Sequence, residues 1–466
     1  METAQVEEWA HQTFSGAALG DPRRVRRLVL MAASVAARPA GTVTGALRSS
    51  SLKEGAFRFL ESQKVCSEAI QSALFESTAV RCSQTTYVAV DQTDLSFVDR
   101  KHVRGLGPVC YRNSSEKRAL HVMSALALDD VGVVIGLLDQ QMWLRPEEPT
   151  PGKRKYRSRA ETDRRAAEER ESWQWVRCLS AVMGRLPAKT RPWFVADRAA
   201  DFHGFLCTAL ESKALFTVRS CYDRAIERNG IRRTLWSTLR RGKILGHVEV
   251  QIPAGPKRRQ RLARLEIRAI DAKVRVRRHP HDETWHELSC VRAREVSHVP
   301  AGESRIEWKL LSNFQLRDMN DALAILRSYT LRWRIEEFHK TWKTGACNVE
   351  ASQLRSLDAV KRWATILAAV ATRIERLKQL SREQPELDAK TEFSREELDA
   401  AITLSLEKKF TIGDELTLQQ AVRLVAMVGG YMGRKGDGPP GSITIRRGLE
   451  QVVPAARVLA ATRTSG

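Results

Sequence analysis

The chain has 466 residues, 42% of them hydrophobic, and a formal net charge of +22 from 77 Lys and Arg against 55 Asp and Glu. That hydrophobic content excludes a disordered chain, and the length allows two to four structural units with a real core. The positive excess points to a polyanionic partner, nucleic acid before a membrane, because no apolar run of about 18 residues and no basic-then-apolar leader occurs. Eight scattered cysteines without a Cys-x-x-Cys pair fit reduced thiols in a cytoplasmic protein. His279, His281, His286 and Cys290 cluster without a zinc-finger spacing, which argues against a zinc site.

The first 75 residues read as helices. Asp21-Pro22 is a cap followed by proline in the first turn. Val25, Leu28, Val29, Ala32 and Val35 then form an inner stripe that leaves Arg23, Arg24, Arg26 and Arg27 on other faces, where they suit phosphate contacts or simple solubilising charge. Ser67 is expected to cap a further helix. From about residue 85 strands alternate with helices. Tyr87 to Val90 is an apolar run ending in Asp91, and His121–Leu128 with Val131–Leu138 reads as a hairpin around Asp129-Asp130-Val-Gly. Residues 151–171 are a mixed-charge segment, and Trp193 to Ala196 is another apolar strand, ending in Asp197. Strand, hairpin, helix, strand and a later helix is the order of a ribonuclease-H-like core.

Between Asp197 and the helix bearing Glu336 lie about 120 residues with strand character, with separate strands expected at Gly246–Ile252, Leu265–Ile270 and Val274–Val276. Lys257, Arg258, Arg259, Arg261, Arg264, Arg268, Lys273, Arg275, Arg277 and Arg278 sit there against few acids, as edge protection or as a DNA-contacting platform. Beyond Gly345 the pattern is helical again. A polar linker is expected at 381–393, a capping box at Ser394 to Glu397, an amphipathic helix over Thr417–Met427 with Leu418, Val422 and Val425 inside, and a turn at 436–441.

The chemistry concentrates in Tyr329-Thr-Leu-Arg-Trp-Arg-Ile-Glu336-Glu-Phe-His-Lys-Thr-Trp-Lys343. At about 100° per residue, Tyr329, Arg332, Glu336 and Lys343 fall within roughly 60° on a helix, setting a carboxylate among two cations and a phenol. A solvated charged face has the same pattern; so does a site where a carboxylate holds a divalent metal and cations grip phosphate oxygens. Asp91 and Asp197 each follow an apolar strand and are placed at strand carboxyl ends. Their rivals are Asp94, as a turn residue, Asp201, as a helix cap, and Glu337, which lies about 80° from Tyr329.

These strings resemble the cut-and-paste DDE transposases of the IS-four family, the Tn-five-like group with its Tyr-Arg-Glu-Lys (YREK) spacing. The likeness runs through Val90 to Phe97, Ala196 to Asp201 and Arg332 to Lys340. Ala17 to Arg24 and Glu54 to Phe59, which includes Arg58, resemble the family's end-binding domain. The resemblance implies an α/β fold: a ribonuclease-H-like catalytic core at 76–375 with a β-rich insertion at about 215–312. A helical DNA-end-binding domain at 1–75 and a helical dimerisation domain at 376–466 flank it. Asp91, Asp197 and Glu336 become the catalytic triad and ligands of a two-metal site, with Mg2+ as the ion and Mn2+ able to substitute. Tyr329, Arg332, Lys343 and Arg219 become phosphate-binding residues, and Trp308 the indole that stacks a flipped base. Arg23, Arg24, Arg26, Arg27 and Arg58 would contact the ends, while Trp333 and Trp342 are expected to pack. The implied reaction is cleavage of transposon ends by metal-dependent hydrolysis, through a hairpin, then joining of 3′ ends to target DNA by a homodimer. Localisation follows as cytoplasmic and nucleoid-associated. The alternatives are a nuclease of the same fold without strand transfer, and a non-catalytic DNA-binding regulator.

Overall fold

The structure is a computed structural model that describes residues 5–97, 103–109, 118–145, 171–252, 259–279, 282–434 and 436–464. The mixed-charge segment at 151–170, together with Cys110, Lys257, Arg258 and His281, lies outside the described residues. So do the side chains of Arg278 and His279.

Five helices open the chain: Gln5–Phe14, Pro22–Ala37, Val43–Ala46, Ser50–Glu61 and Ser67–Ala79. Asp21 caps the second as its spacing predicts, its carboxylate accepting from the Arg23 backbone N–H, with Pro22 in the first turn. Leu28, Ala32 and Val35 are wholly buried, so the stripe is real. Ser67 is not a cap. Cys66 holds the extended capping position without a side-chain bond to the backbone, and Ser67 is the first helical residue, itself buried.

The sheet begins with β1 (Thr85–Leu95), the two-residue β2 (Gly107–Pro108), β3 (Arg118–Leu128) and β4 (Val134–Trp143). β3 and β4 form the expected hairpin. Its turn is held by Asp129, whose Oδ1 accepts from the Val131 and Val133 N–H groups, and by Gly132 at φ +92. β5 (Arg191–Ala196) runs parallel to β1, and β6 (Leu215–Arg219) parallel to β5. The order β4-β3-β1-β5-β6 is the ribonuclease-H-like arrangement, with helices Trp173–Arg185 and His203–Glu211 as connections.

The basic region extends this same sheet. It contributes β7 (Ala225–Arg228), β8 (Ile231–Thr234), β9 (Ile244–Ile252), β10 (Arg261–His279), β11 (Asp282–Glu295) and β12 (Glu307–Ser312), and β12 pairs antiparallel with β6. The two strands expected at Leu265–Ile270 and Val274–Val276 are one, β10. Its buried residues are Ala263, Leu265 and Ile267, then Ile270, Ala272, Val274 and Val276. The alternation changes phase where the register with β9 slips between Ile267 and Arg268, so one bulged strand reads as two. The region is also less unpaired than its composition indicates. Arg261 pairs with Glu295 at 3.0 Å and with Glu303, Arg268 with Glu266 at 2.8 Å, and Arg292 with Glu307 at 2.7 Å.

The α-helices after β12 are Met319–Leu331, Trp333–Lys343, Leu357–Glu383, Arg395–Ser405, Leu418–Val428 and Ser442–Thr464. Both the Ser394/Glu397 box and a second, Thr417/Gln420, are formed. Residues 381–393 are not a linker: the helix continues to Glu383, Asp388 bridges to Thr417, and Ala389 and Phe393 are buried. Helix Leu357–Glu383 is therefore unbroken through residue 375, where a domain border is expected. It is buried along most of its length. It binds the Gly41 carbonyl through Trp363 Nε1 (2.6 Å), the Thr341 hydroxyl through Glu375 (2.5 Å) and the Val134 N–H through Gln379 (2.9 Å). Gly41 leaves no room for a side chain, since a Cβ there would sit 1.8 Å from the Asn348 carbonyl oxygen.

Candidate active site

The sheet register sets out the site. Ala89 pairs with Val195 and Val195 with Thr217, so two residues further on Asp91, Asp197 and Arg219 occupy one row across three parallel strands. Asp91 is not at the end of its strand. β1 continues to Leu95 beside β3, and Asp91 stands just beyond the last residue paired with β5. The backbone there opens on one side, giving the strand-end crevice typical of such sheets. Asp197 does follow its strand, and its Oδ1 accepts from the Ala199 N–H at 2.8 Å.

The helix expected over Tyr329–Lys343 is two helices that meet at Arg332. Tightened three-residue hydrogen bonds, Arg332 N–H to Tyr329 O and Ile335 N–H to Arg332 O, mark the junction. The cation–carboxylate contact survives the break. Arg332 Nη1 lies 3.3 Å from Asp91 Oδ2 and 3.2 Å from Glu336 Oε1, bridging two carboxylates from separate elements. Tyr329 is buried and sits edge-on to Trp308, ring centroids 5.8 Å apart. Lys343, about 10 Å beyond Glu336 along the helix by its rise, donates to Thr93 Oγ1 at 3.1 Å and pairs with Glu350 at 3.7 Å. Thr93 is two residues beyond Asp91, so both cations address one face of β1.

Electrostatics single out Asp91. Burial and then the neighbouring Glu336 charge push its pKa up to about 7, with Asp197 adding to the push and Arg332 opposing it. Among the described residues, ligand atoms of Asp91, Glu336 and His339 come within 4.8 Å of one another. Asp197 is outside that trio but within reach of its charge. Carboxylates crowded from separate elements, with one guanidinium between them, fit a hard divalent cation.

The rival acids have structural partners. Asp94 lies in β1, its Oδ1 2.6 Å from His121 Nδ1. Asp201 is buried against Arg224 at 2.7 Å and accepts from the Cys221 N–H, rather than capping the next helix. Burial works against the Glu337 charge, but Lys378 and Arg334 outweigh it and hold its pKa below the usual range.

Beside the acids opens a cleft of about 610 Å³ lined by Arg198, Arg219, Trp308, Tyr329, Arg332 and Trp333, among others. Arg219 donates to the Glu307 carbonyl at 3.1 Å. Trp342 is fully buried, as expected of a packing residue, but Trp333 is 53% exposed, because the break at Arg332 turns it out of the core to the cleft. The N-terminal arginines are elsewhere. Arg23 is exposed and pairs with Asp21 at 3.1 Å, Arg24 donates to the Leu19 carbonyl at 2.7 Å, Arg26 is exposed, Arg27 packs near Gly55, and exposed Arg58 pairs with Glu54. Four further residues at the site were not expected from the sequence: His339, Arg198, Thr93 and Glu350. Only His339 carried a signal, lying one turn beyond Glu336.

Among the described residues five cysteines are buried and seven are free thiols. No described helix is long and apolar enough to cross a membrane. Three family models match the chain in succession: "Transposase DNA-binding" over residues 6–65, "Transposase DDE domain" over 176–373 and "Transposase Tn5 dimerisation domain" over 369–464. DNA and a second copy of the chain are thus its partners, and a divalent metal its requirement. The chain belongs to the Tn5-like DDE transposases, and it is an enzyme of that family.

Proposed function

We propose that this transposase binds the terminal repeats of a mobile element, cleaves both ends through a hairpin intermediate and joins the freed 3′ ends to target DNA. A homodimer holds the two ends together, each subunit gripping one through its N-terminal helices, and the complex is nucleoid-associated. The observation that carries this reading is the convergence of Asp91 and Glu336 on Arg332, in the crevice where β1 and β5 part. Asp91, Asp197 and Glu336 would hold two divalent cations, Mg2+ with Mn2+ able to substitute, which when bound activate water and stabilise the leaving oxygen. Arg332 holds the two carboxylates in register before DNA arrives and then faces the scissile phosphate. Arg219 and Lys343 fix the flanking phosphates from either side, and Tyr329 orients Trp308 by ring contact.

Trp308, which lines the cleft with exposed Trp333, would receive a base displaced from the duplex. Trp308→Ala is expected to slow hairpin formation about 5- to 150-fold, the loss of roughly 1–3 kcal/mol of stacking, while the first nick stays near the wild-type rate. Trp308→Phe should recover most of it. Single-turnover assays on end fragments separate the two steps, and equal slowing of both would remove the stacking role.

Arg23→Ala with Arg26→Ala is expected to weaken end binding and flatten its salt dependence by a slope of about 1.8, two phosphate contacts at 0.9 each. Both side chains are exposed, so the fold should be untouched. Arg24 is a poorer probe because it ties its helix to the Leu19 carbonyl. An unchanged slope would place recognition on another face.

The whole reading is tested on a supercoiled plasmid carrying the element's own terminal repeats, incubated with protein and Mg2+ beside Asp197→Ala. Excised fragment and joined products, absent from the variant, are expected. Nicks without joining would reduce the activity to that of a nuclease, and binding alone to that of a regulator.

A further inference from the structure

His339 is an anomaly in the core. The residue is only 5% exposed, and its Nε2 is buried without a hydrogen-bond partner among the described residues. A buried polar nitrogen left unmatched keeps its desolvation penalty, and what sets this one apart from the other buried unpartnered atoms among the described residues is its place beside two carboxylates. The ring follows Glu336 by three residues on helix Trp333–Lys343, which places both on one helical face. One ring nitrogen lies with an Asp91 and a Glu336 carboxylate oxygen inside a sphere where all three are within 4.8 Å of one another. That spread matches ligand atoms around a single cation at about 2.0–2.4 Å. Packing alone does not account for the choice of residue. Phe338, next to it and 5.5 Å away ring to ring, fills its share of core without a nitrogen.

We propose that His339 is a nitrogen ligand to one metal ion of this site, completing a mixed oxygen–nitrogen set with Asp91 and Glu336. The proposal rests on the metal-site reading above and adds a selectivity to it. Imidazole suits transition-metal ions, and Mn2+, the least nitrogen-seeking of them, still accepts a nitrogen donor more readily than Mg2+, so of these two ions His339 biases the position it serves toward Mn2+.

The test is pulsed electron paramagnetic resonance on full-length protein loaded with Mn2+ and no DNA, which detects a nitrogen bonded to the ion. Wild type is expected to give 14N couplings of a directly bound imidazole, and these vanish in His339→Phe, a variant that keeps a ring in the core. Calorimetric titration of the same variant should show Mn2+ affinity falling about 10-fold or more with Mg2+ affinity little changed. If His339→Phe is poorly folded by circular dichroism, His339→Gln replaces it and the same loss of coupling is expected. Wild-type Mn2+ bound without nitrogen coupling, or couplings that persist in both variants, would overturn the proposal and leave the carboxylate site standing. Mn2+ binding that survives Asp91→Asn and Glu336→Gln unchanged would instead sink the site reading itself, and this inference with it.

Discussion

Glu336→Gln is expected to lower end cleavage by on the order of a thousandfold or more while leaving DNA binding within about two- to threefold of wild type. The substitution preserves shape and removes one negative charge from a carboxylate that Arg332 already shares with Asp91. Arg332 keeps its Asp91 partner, so the junction between the two helices is retained and the DNA-facing cations stay in place. Its neighbour supplies the contrast. Glu337→Gln cuts ion pairs to Arg334 and Lys378, both at 3.2 Å, and should cost on the order of 2 kcal/mol of stability while the folded fraction still cleaves. Paired cleavage and gel-shift assays on the two variants check this. Loss of DNA binding in Glu336→Gln would make that residue structural.

Asp91→Asn should abolish cleavage and yet raise the thermal stability of the metal-free protein at pH 8. In the fold, burial and the Glu336 charge push the Asp91 pKa to about 7 from an ordinary 3.8. Between those values the folded state holds a proton that the unfolded state has released, so stability falls as pH rises and the full penalty is present above pH 7. The side chain is 14% exposed, so solvent screens the penalty little, and it is on the order of 2–4 kcal/mol. Asparagine escapes it. Melting curves from pH 4 to 8 should therefore fall more steeply for wild type than for the variant. Added Mg2+ should raise the wild-type midpoint at pH 8 by a few degrees, with little effect on Asp91→Asn. A variant less stable than wild type at pH 8 without metal would show that Asp91 is a structural partner of Arg332 first.

The site was legible where its chemistry is local. Arg332 with Glu336 is one helical turn and stood out as a candidate pair by itself, whereas Asp91 and Asp197, each an acid after a short apolar run, were weak signals until the glutamate helix and the family resemblance singled them out. What escaped depends on chain that returns from a distance. Asp201 reads as a cap until Arg224 is brought against it, and Asp94 as a turn until β3 presents His121. Trp333 reads as core because the break at Arg332, invisible to a 100° wheel, reverses its exposure. The linker at 381–393 misled because its composition is polar. The apolar residues that anchor it, Leu387, Ala389 and Phe393, are few and irregularly spaced, and the bridge to Thr417 cannot be foreseen from them. The basic insertion was legible as strands but not as one sheet with the core.

Helix Leu357–Glu383 has a consequence for how such proteins can diversify. At adjacent positions it binds outward in two directions: the Trp363 indole holds the Gly41 carbonyl, and the Ala364 carbonyl receives the Trp342 indole from the helix that bears Glu336. Arg362, one residue earlier, reaches the Leu60 carbonyl. The DNA-binding helices and the helix that bears Glu336 are thus keyed to a common spindle, and the DDE and dimerisation models overlap on it at 369–373. A recombination event that grafts a new end-recognition segment onto this chain must bring a matching Gly41 and a matching 356–364 surface, or the graft will not seat. Changes in which ends are recognised should therefore accumulate by point substitution on the exposed arginine face more readily than by exchange of whole segments.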